Sequence, residues 1–328
     1  MFSPMDKRRF PVFKKLISIL AAGMLLTGTA YAEAETYTVG ICQILTHEAV
    51  AQAAQGFMDA LDEALGKGNV VYELKDASGD ASICSLIVND FVADEVDLIL
   101  ANGTPALQAA AAATGDIPIL GTSITEYGVA LDIDDFHGTV GGNVSGTSDL
   151  APLDQQAAMI PELFPEAKSV ALLYCSAEPN SLYQVKTVKA HLEALGLNAE
   201  MYPFTDSNDM AAVTQNACEN VDVIYIPTDN TAAANATIVD NLCQPSGIPV
   251  ITGDVNTCAA AGVACIGISY YDLGVLTGQM AAQVLCGQAD ISAIPIAYVD
   301  QVTRQYNPVI CKALGVSIPD GYVPLAIE

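Results

Sequence analysis

Residues Val221–Asp254, VDVIYIPTDNTAAANATIVDNLCQPSGIPVITGD, decide the fold. A run of β-branched apolar residues is followed by a polar turn, an Ala-rich helical segment and a second apolar run. An earlier stretch, Val96–Ile124, repeats this grammar as VDLILANGTPALQAAAAATGDIPILGTSI, with Pro118 and Pro249 opening the second apolar run of each copy. Strand, loop, helix and strand in this order make a βαβ crossover, which needs a parallel sheet covered on both faces. Two copies predict two similar lobes. Ligands of open parallel sheets sit at the carboxyl ends of strands, so the loops to read are Asn102–Pro105 and Pro227–Asn230.

Outward from these units the chain keeps alternating. Thr36–Ile44 reads as a strand and the segment from His47 as an amphipathic helix, with Ala49, Ala53, Phe57, Ala60, Leu61 and Leu65 at helical spacing. A strand (VVYELKDA) and a helix (Ser82–Val92) follow. Thr139–Ser148, TVGGNVSGTS, reads as a crossing between lobes, its small residues tolerating the backbone change of a hinge, with a plain surface loop as the alternative. The pattern then restarts with a helix at Leu153–Phe164, the strand SVALLYC, a helix at Ser181–Leu195 and the strand NAEMYPF. Asn208 is expected to cap a helix through Glu219. Ala264–Tyr270 reads as a strand, Leu273–Leu285 as a helix, and IPIAYVD with a helix at Pro308–Leu314 closes the chain. The fold class is α/β: two doubly wound parallel-sheet lobes with a central cleft.

The first residues read as an address. Five basic residues, Lys7 to Lys15, precede an apolar run over Leu16–Leu26, and Ala30-Tyr31-Ala32 offers the small residues a signal peptidase reads, so cleavage is expected after Ala32. A spanning helix needs about 20 apolar residues and this run is shorter. The expected location is periplasmic or otherwise extracytoplasmic. Net charge is -26 over the whole chain. Without the leader, 7 basic residues face 37 acidic ones, a net charge of -30. Such a surface repels phosphates and disfavours nucleic acid as a partner.

The nine cysteines and three histidines lack metal-site spacing. Cys258 with Cys265 and Cys218 with Cys243 are candidate disulfides in an oxidising compartment. A Walker loop, a GxGxxG turn and a GxSxG elbow are all missing, and the histidines form no visible triad. His47 could act as a base, but no nucleophile stands near it, and a capping or ligand-contacting role fits better. The reading is a binder, not an enzyme, and it needs no cofactor.

The segments VGICQILTHEAVAQAAQGF (Val39–Phe57), ANGTPALQAA (Ala101–Ala110), GGNVSGTSD (Gly141–Asp149), LLYCSAEPNSLYQ (Leu172–Gln184), IPTDN (Ile226–Asn230) and ISYYDLG (Ile268–Gly274) span nearly all of the mature chain. Together they resemble the ABC-transporter substrate-binding proteins of type I periplasmic fold, in the family whose members bind tryptophan, tyrosine or phenylalanine. The resemblance implies three crossings between lobes, with the YYDLG helix returning to the first lobe and the chain ending in the second. It implies an N-terminal lobe of 33–146 plus 268–295 and a C-terminal lobe of 147–267 plus 296–328. It also implies an amino-acid ligand, most naturally aromatic, delivered by a monomer to an ABC permease in the membrane. The alternative is another small solute on the same fold: a sugar, a nucleobase or an aliphatic amino acid. Thr125-Glu126-Tyr127 stands where the family tends to have Thr-Asp-Pro, and Asp254 where Glu is frequent, so the amino acid itself can differ.

Mapped onto the loops, an α-carboxylate needs hydroxyls and free N–H groups, which Ser78-Gly79 and Thr104 offer at helix starts, with Ser123 and Thr125 adding hydroxyls. An α-ammonium needs a carboxylate. Asp229 is the first choice, Asp254 the second, although Asp229 is equally placed to cap a helix starting at Thr231. On that reading Asp229→Ala weakens binding far more than it lowers stability. Gln43, His47, Asn180, Ser181, Gln184 and Asn230 complete the polar set. Tyr127, Tyr270 and Tyr271 are candidate walls for an apolar side chain.

Overall fold

The computed structural model describes residues 36–299 and 301–327. The expected leader and its cleavage point lie outside them.

The first lobe holds β1 (Tyr37–Gln43), α1 (Glu48–Leu65), β2 (Val70–Asp76), α2 (Ala81–Ala93), β3 (Leu98–Asn102), α3 (Thr104–Ala113), β4 (Ile119–Ile124), α4 (Tyr127–Ala130) and β5 (Val144–Ser148). The chain crosses to α5 (Leu153–Leu163), β6 (Ser169–Cys175), α6 (Pro179–Ala194), β7 (Asn198–Phe204), α7 (Ser207–Asn220), β8 (Val223–Ile226), α8 (Asn230–Ala234), α9 (Ala236–Ser246), β9 (Val250–Thr252), α10 (Val255–Ala261) and β10 (Ala264–Gly267). It returns through α11 (Tyr270–Leu285) and β11 (Ala297–Tyr298), then ends in the second lobe with β12 (Thr303–Tyr306), α12 (Pro308–Leu314) and β13 (Val323–Pro324). The sheets run β11-β5-β4-β3-β1-β2 and β13-β12-β10-β9-β8-β6-β7. Every pairing is parallel except β10 with β12. In both sheets the chain moves outward from one central strand and then reverses, which opens a crevice beside β1 and β6 at the strands' carboxyl ends.

Strands buried on both faces explain the near-continuous apolar runs. Leu98 and Leu100 of β3 face one core with Val39, Ile41 and Phe57, while Ile99 and Ala101 face the other with Phe91 and Leu107. In the second lobe Leu172 and Tyr225 point to one side of their sheet, and Leu173 and Ile224 to the other. Helices α1 and α11 pack so closely that a Cβ on Gly274 would collide with the carbonyl of Ala53, and one on Gly56 with that of Tyr271.

Four expectations are corrected. TVGGNVSGTS is not a hinge throughout, since Val144–Ser148 is β5 and pairs with β4 in parallel. The first lobe's strands therefore reach Ser148 and Tyr298, past the expected boundaries at 146 and 295. The strand beginning at Ala264 stops at Gly267, because Ser269 accepts the Asp272 amide and starts α11 at Tyr270. Asp206, not Asn208, caps α7: Asp206 and Asp209 form a reciprocal capping box.

Candidate functional site

A narrow cavity of about 10 Å³, room for about one water, lies between the lobes, lined by His47, Ala49, Val50, Ser123, Thr125, Asp149, Asn180, Thr228, Asp229, Asn230, Ala233, Asp254 and Tyr270. Nearly all follow the carboxyl end of a strand: β1, β4 and β5 from the first sheet, and β6, β8, β9 and β10 from the second. The lobes touch across it, with His47 Nε2 lying 3.2 Å from Asn230 Oδ1. Asn230 is oriented by Glu178, whose carboxylate can only accept: it takes the Asn230 amide (3.0 Å), Asn230 Nδ2 (2.8 Å), the Thr231 amide (2.9 Å) and the Thr231 hydroxyl (2.8 Å). That leaves Asn230 Oδ1 as the acceptor, so His47 Nε2 is the donor. His47 Nδ1 is buried and has no partner.

Three carboxyl groups face this space, and among its lining residues there is no Lys or Arg. Asp149, 4% exposed, accepts the Tyr270 hydroxyl at Oδ2 (2.9 Å), while Oδ1 has no hydrogen bond of good geometry. Burial raises its pKa to about 6. The Tyr270 and Thr125 hydroxyls work against that rise, and Asp254 adds to it. Asp254 caps α10 by accepting the Thr257 amide at Oδ1 (2.8 Å), and its Oδ2 is buried and unpartnered. Asp229 differs, because both of its oxygens are occupied. Oδ1 accepts the Ala232 amide (2.8 Å) as the cap of α8, and Oδ2 accepts the Cys175 amide (2.7 Å). Burial and the neighbouring Glu178 raise Asp229 to about 8. Asp229 therefore keeps no free oxygen for the ammonium expected of it, whereas Asp149 and Asp254 each keep one unpartnered.

Ser123 sits in the left-handed region at φ 55, where the pairing of β4 with β5 shifts register between Gly121 and Ile124. A non-glycine residue held there costs about 1–3 kcal/mol, and such strain gathers at ligand clamps. The Ser123 hydroxyl is buried without a partner, as is Asn180 Oδ1.

The other expected residues stand back from the cavity. Gln184 clamps the β8–α8 loop, with Nε2 donating to the Thr228 carbonyl (2.9 Å) and Oε1 accepting its amide (3.1 Å). Ser181 is fully buried beside Asp229. Gln43 Nε2 donates to Thr46 Oγ1 (2.8 Å) and Asp76 Oδ2 (3.2 Å). Thr104 is buried at the first turn of α3. Ser78 and Gly79 line a separate opening between the lobes, shared with Glu178 and Asn230. The walls are corrected too. Tyr127 is a core residue whose hydroxyl donates to the Thr147 carbonyl (3.1 Å), and Tyr271 is 40% exposed with its hydroxyl on Asp59 (3.0 Å). Tyr270 alone of the three lines the cavity. Asp149 was missed because TVGGNVSGTS was not read as a strand. Once it is, Asp149 falls just after a strand's carboxyl end, as Asp229 and Asp254 do.

Among the described residues no cluster of His, Cys, Asp and Glu is placed to hold a metal ion, and no helix is long and apolar enough to cross a membrane. A family model described as ABC transporter substrate binding protein matches residues 38–328. A tyrosine-binding protein of Clostridioides difficile (strain R20291) is 30% identical over 323 residues, with 92% of each chain covered. A domain from Streptococcus pneumonia in complex with L-Trp superposes with a TM-score of 0.84 at 31% identity, covering 89% of this chain and 100% of its own. The ligand-free, open structure of a substrate-binding protein with adhesive properties from Clostridium difficile covers the same shares at 32% identity, with a TM-score of 0.68.

Proposed function

Because this chain belongs to the family of ABC transporter substrate-binding proteins, we propose that it captures an aromatic amino acid between its lobes and hands it to a membrane permease. Members of this family carry solutes without transforming them, and those of ABC importers work outside the cytoplasm. A leader cleaved after Ala32 and a monomeric mature protein fit that role.

The observation that carries the reading is the pair of buried carboxylate oxygens, Asp149 Oδ1 and Asp254 Oδ2, turned into a cavity without a basic side chain. A buried carboxylate is costly unless it meets a positive charge or strong donors. An α-ammonium supplies both. The ligand's carboxylate then falls to the Ser123 and Thr125 hydroxyls, and Tyr270 supplies the aromatic wall. Tyrosine and tryptophan are the first ligands to test, since they appear with the two relatives named above. Ligand held by one lobe gives the other something to pair with, so binding favours closure.

The test is a thermal-shift screen of refolded, ligand-stripped protein against all amino acids, with sugars and nucleosides alongside. A ligand at 100 times its Kd stabilises by about 2.7 kcal/mol. A shift confined to tyrosine, tryptophan or phenylalanine supports the proposal. Shifts with sugars or nucleosides alone overturn it and leave the fold intact.

A further inference from the structure

Cys218, in the last turn of α7, and Cys243, in the last turn of α9, bring their sulfurs within 3.4 Å of each other. Cys42, by contrast, turns its thiol to the backbone carbonyl of Cys84 at 4.0 Å. Both residues are thiols in the structure, 8% and 1% exposed. Their surroundings open easily: α9 carries Pro245 in its final turn and ends on Gly247 in the left-handed conformation, and helix ends are the first places to fray.

We propose that Cys218 and Cys243 form a disulfide when the protein meets an organic disulfide outside the cytoplasm, stapling α7 to α9. The placement matters because the residues between them include β8, the cavity residues Thr228 and Asp229, and Asn230, which spans the lobes. Cys218 is the attacking sulfur, being the more exposed of the two and close to the Ser246 hydroxyl. Its thiolate attacks one sulfur of the incoming disulfide, the S–S bond breaks, and one thiolate leaves. Cys243 then loses its proton and attacks Cys218 Sγ, and the second thiolate leaves. Two protein S–H bonds become one S–S bond, two electrons reduce the oxidant to two thiols, and the two protons go with them. An extracytoplasmic location exposes the pair to such oxidants.

The experiment incubates the full folded chain with oxidised glutathione, quenches it in acid, unfolds it, alkylates free thiols and cleaves after Glu219, which separates the two cysteines. The expected result is two fewer alkylations than in a reduced control, peptides carrying Cys218 and Cys243 joined until reduction, and a melting temperature several degrees higher. The Cys218→Ala/Cys243→Ala protein should show no oxidation-dependent shift. Should that variant fail to fold, the peptide map of the unsubstituted chain still decides. Full alkylation at both positions, a glutathione adduct left on either, or linkage of either to a different cysteine overturns the proposal.

Discussion

His47 Nε2 donates to Asn230 Oδ1 at 3.2 Å, joining the loop after β1 of one sheet to the loop after β8 of the other. Glu178 holds Asn230 from the second lobe through both its amide and its side chain, so the acceptor is set before the lobes meet. Because the two loops belong to different lobes, the bond favours the arrangement in which they meet. Asn230→Ala should weaken binding of the proposed amino acid about two- to tenfold, the range expected for one net hydrogen bond. Titration calorimetry reads the affinity, and small-angle scattering should find a larger open fraction in the liganded variant. An unchanged affinity and an unchanged radius would remove the latch.

Asp149 links the cavity to pH. Its pKa is about 6 in the folded chain, against an ordinary unfolded value near 3.9. Between these values the folded chain holds a proton that the unfolded chain has released, so stability of the ligand-free protein rises as pH falls from about 7 to about 4. The contribution is roughly 3 kcal/mol for about two pKa units. Asp229, raised to about 8, acts with the same sign from a higher pH. Ligand affinity moves the other way, because an ammonium prefers an ionised Asp149. Melting temperature measured with and without ligand should diverge in this manner, and Asp149→Asn should weaken both trends below about pH 7, leaving the part of the stability slope that Asp229 contributes.

Asp229 has a structural role first. Removing its side chain leaves the Cys175 amide without its partner and α8 without its cap. Asp229→Ala should lower stability by about 2 kcal/mol, combining a lost cap with a buried amide left unpaired. Its effect on affinity should be smaller than that of Asp149→Asn, the reverse of the order expected from sequence. Urea unfolding and calorimetry on the same variants check the ranking.

Gly274 sets the spacing of α1 and α11. An added Cβ meets the Ala53 carbonyl, a backbone atom that cannot swing aside. Gly274→Ala should cost about 1–3 kcal/mol through overpacking. Because α1 begins directly after His47, ligand affinity should fall with it. A variant as stable as the parent in urea would show that the helices can separate freely.

Tyr271→Phe is the matching control. Its hydroxyl bonds only the exposed Asp59, so stability should change by no more than about 0.5 kcal/mol and affinity should stay level. A several-fold loss of affinity would return Tyr271 to the site.

The repeated apolar runs at Val96 and Val221 made both lobes legible, since strands buried on two faces must be apolar throughout and a crossover helix must follow them. Asp254 and Ser123 were legible for the same reason, as they stand directly after or within strands that could be recognised. Asp149 was hidden because β5, VSGTS, has little of the bulk that marks a strand. Its Gly146 sits at φ 145 and packs against the Gly121 backbone, a close approach set by the neighbouring strand and invisible along the chain. Tyr270 and Tyr271 show the other limit. They are adjacent and chemically identical, yet one hydroxyl reaches Asp149 and the other Asp59.

By itself, the sequence determined the α/β class, the two lobes and the strand ends where a ligand must sit, because hydrophobic periodicity and crossover geometry are local properties. Only the tertiary structure decided which carboxylates keep an unpartnered oxygen. Whether an aspartate oxygen faces a cavity or a backbone amide depends on elements far apart in the chain: Asp229 meets Cys175, while Asp149 and Asp254 come from different strands to share one buried space.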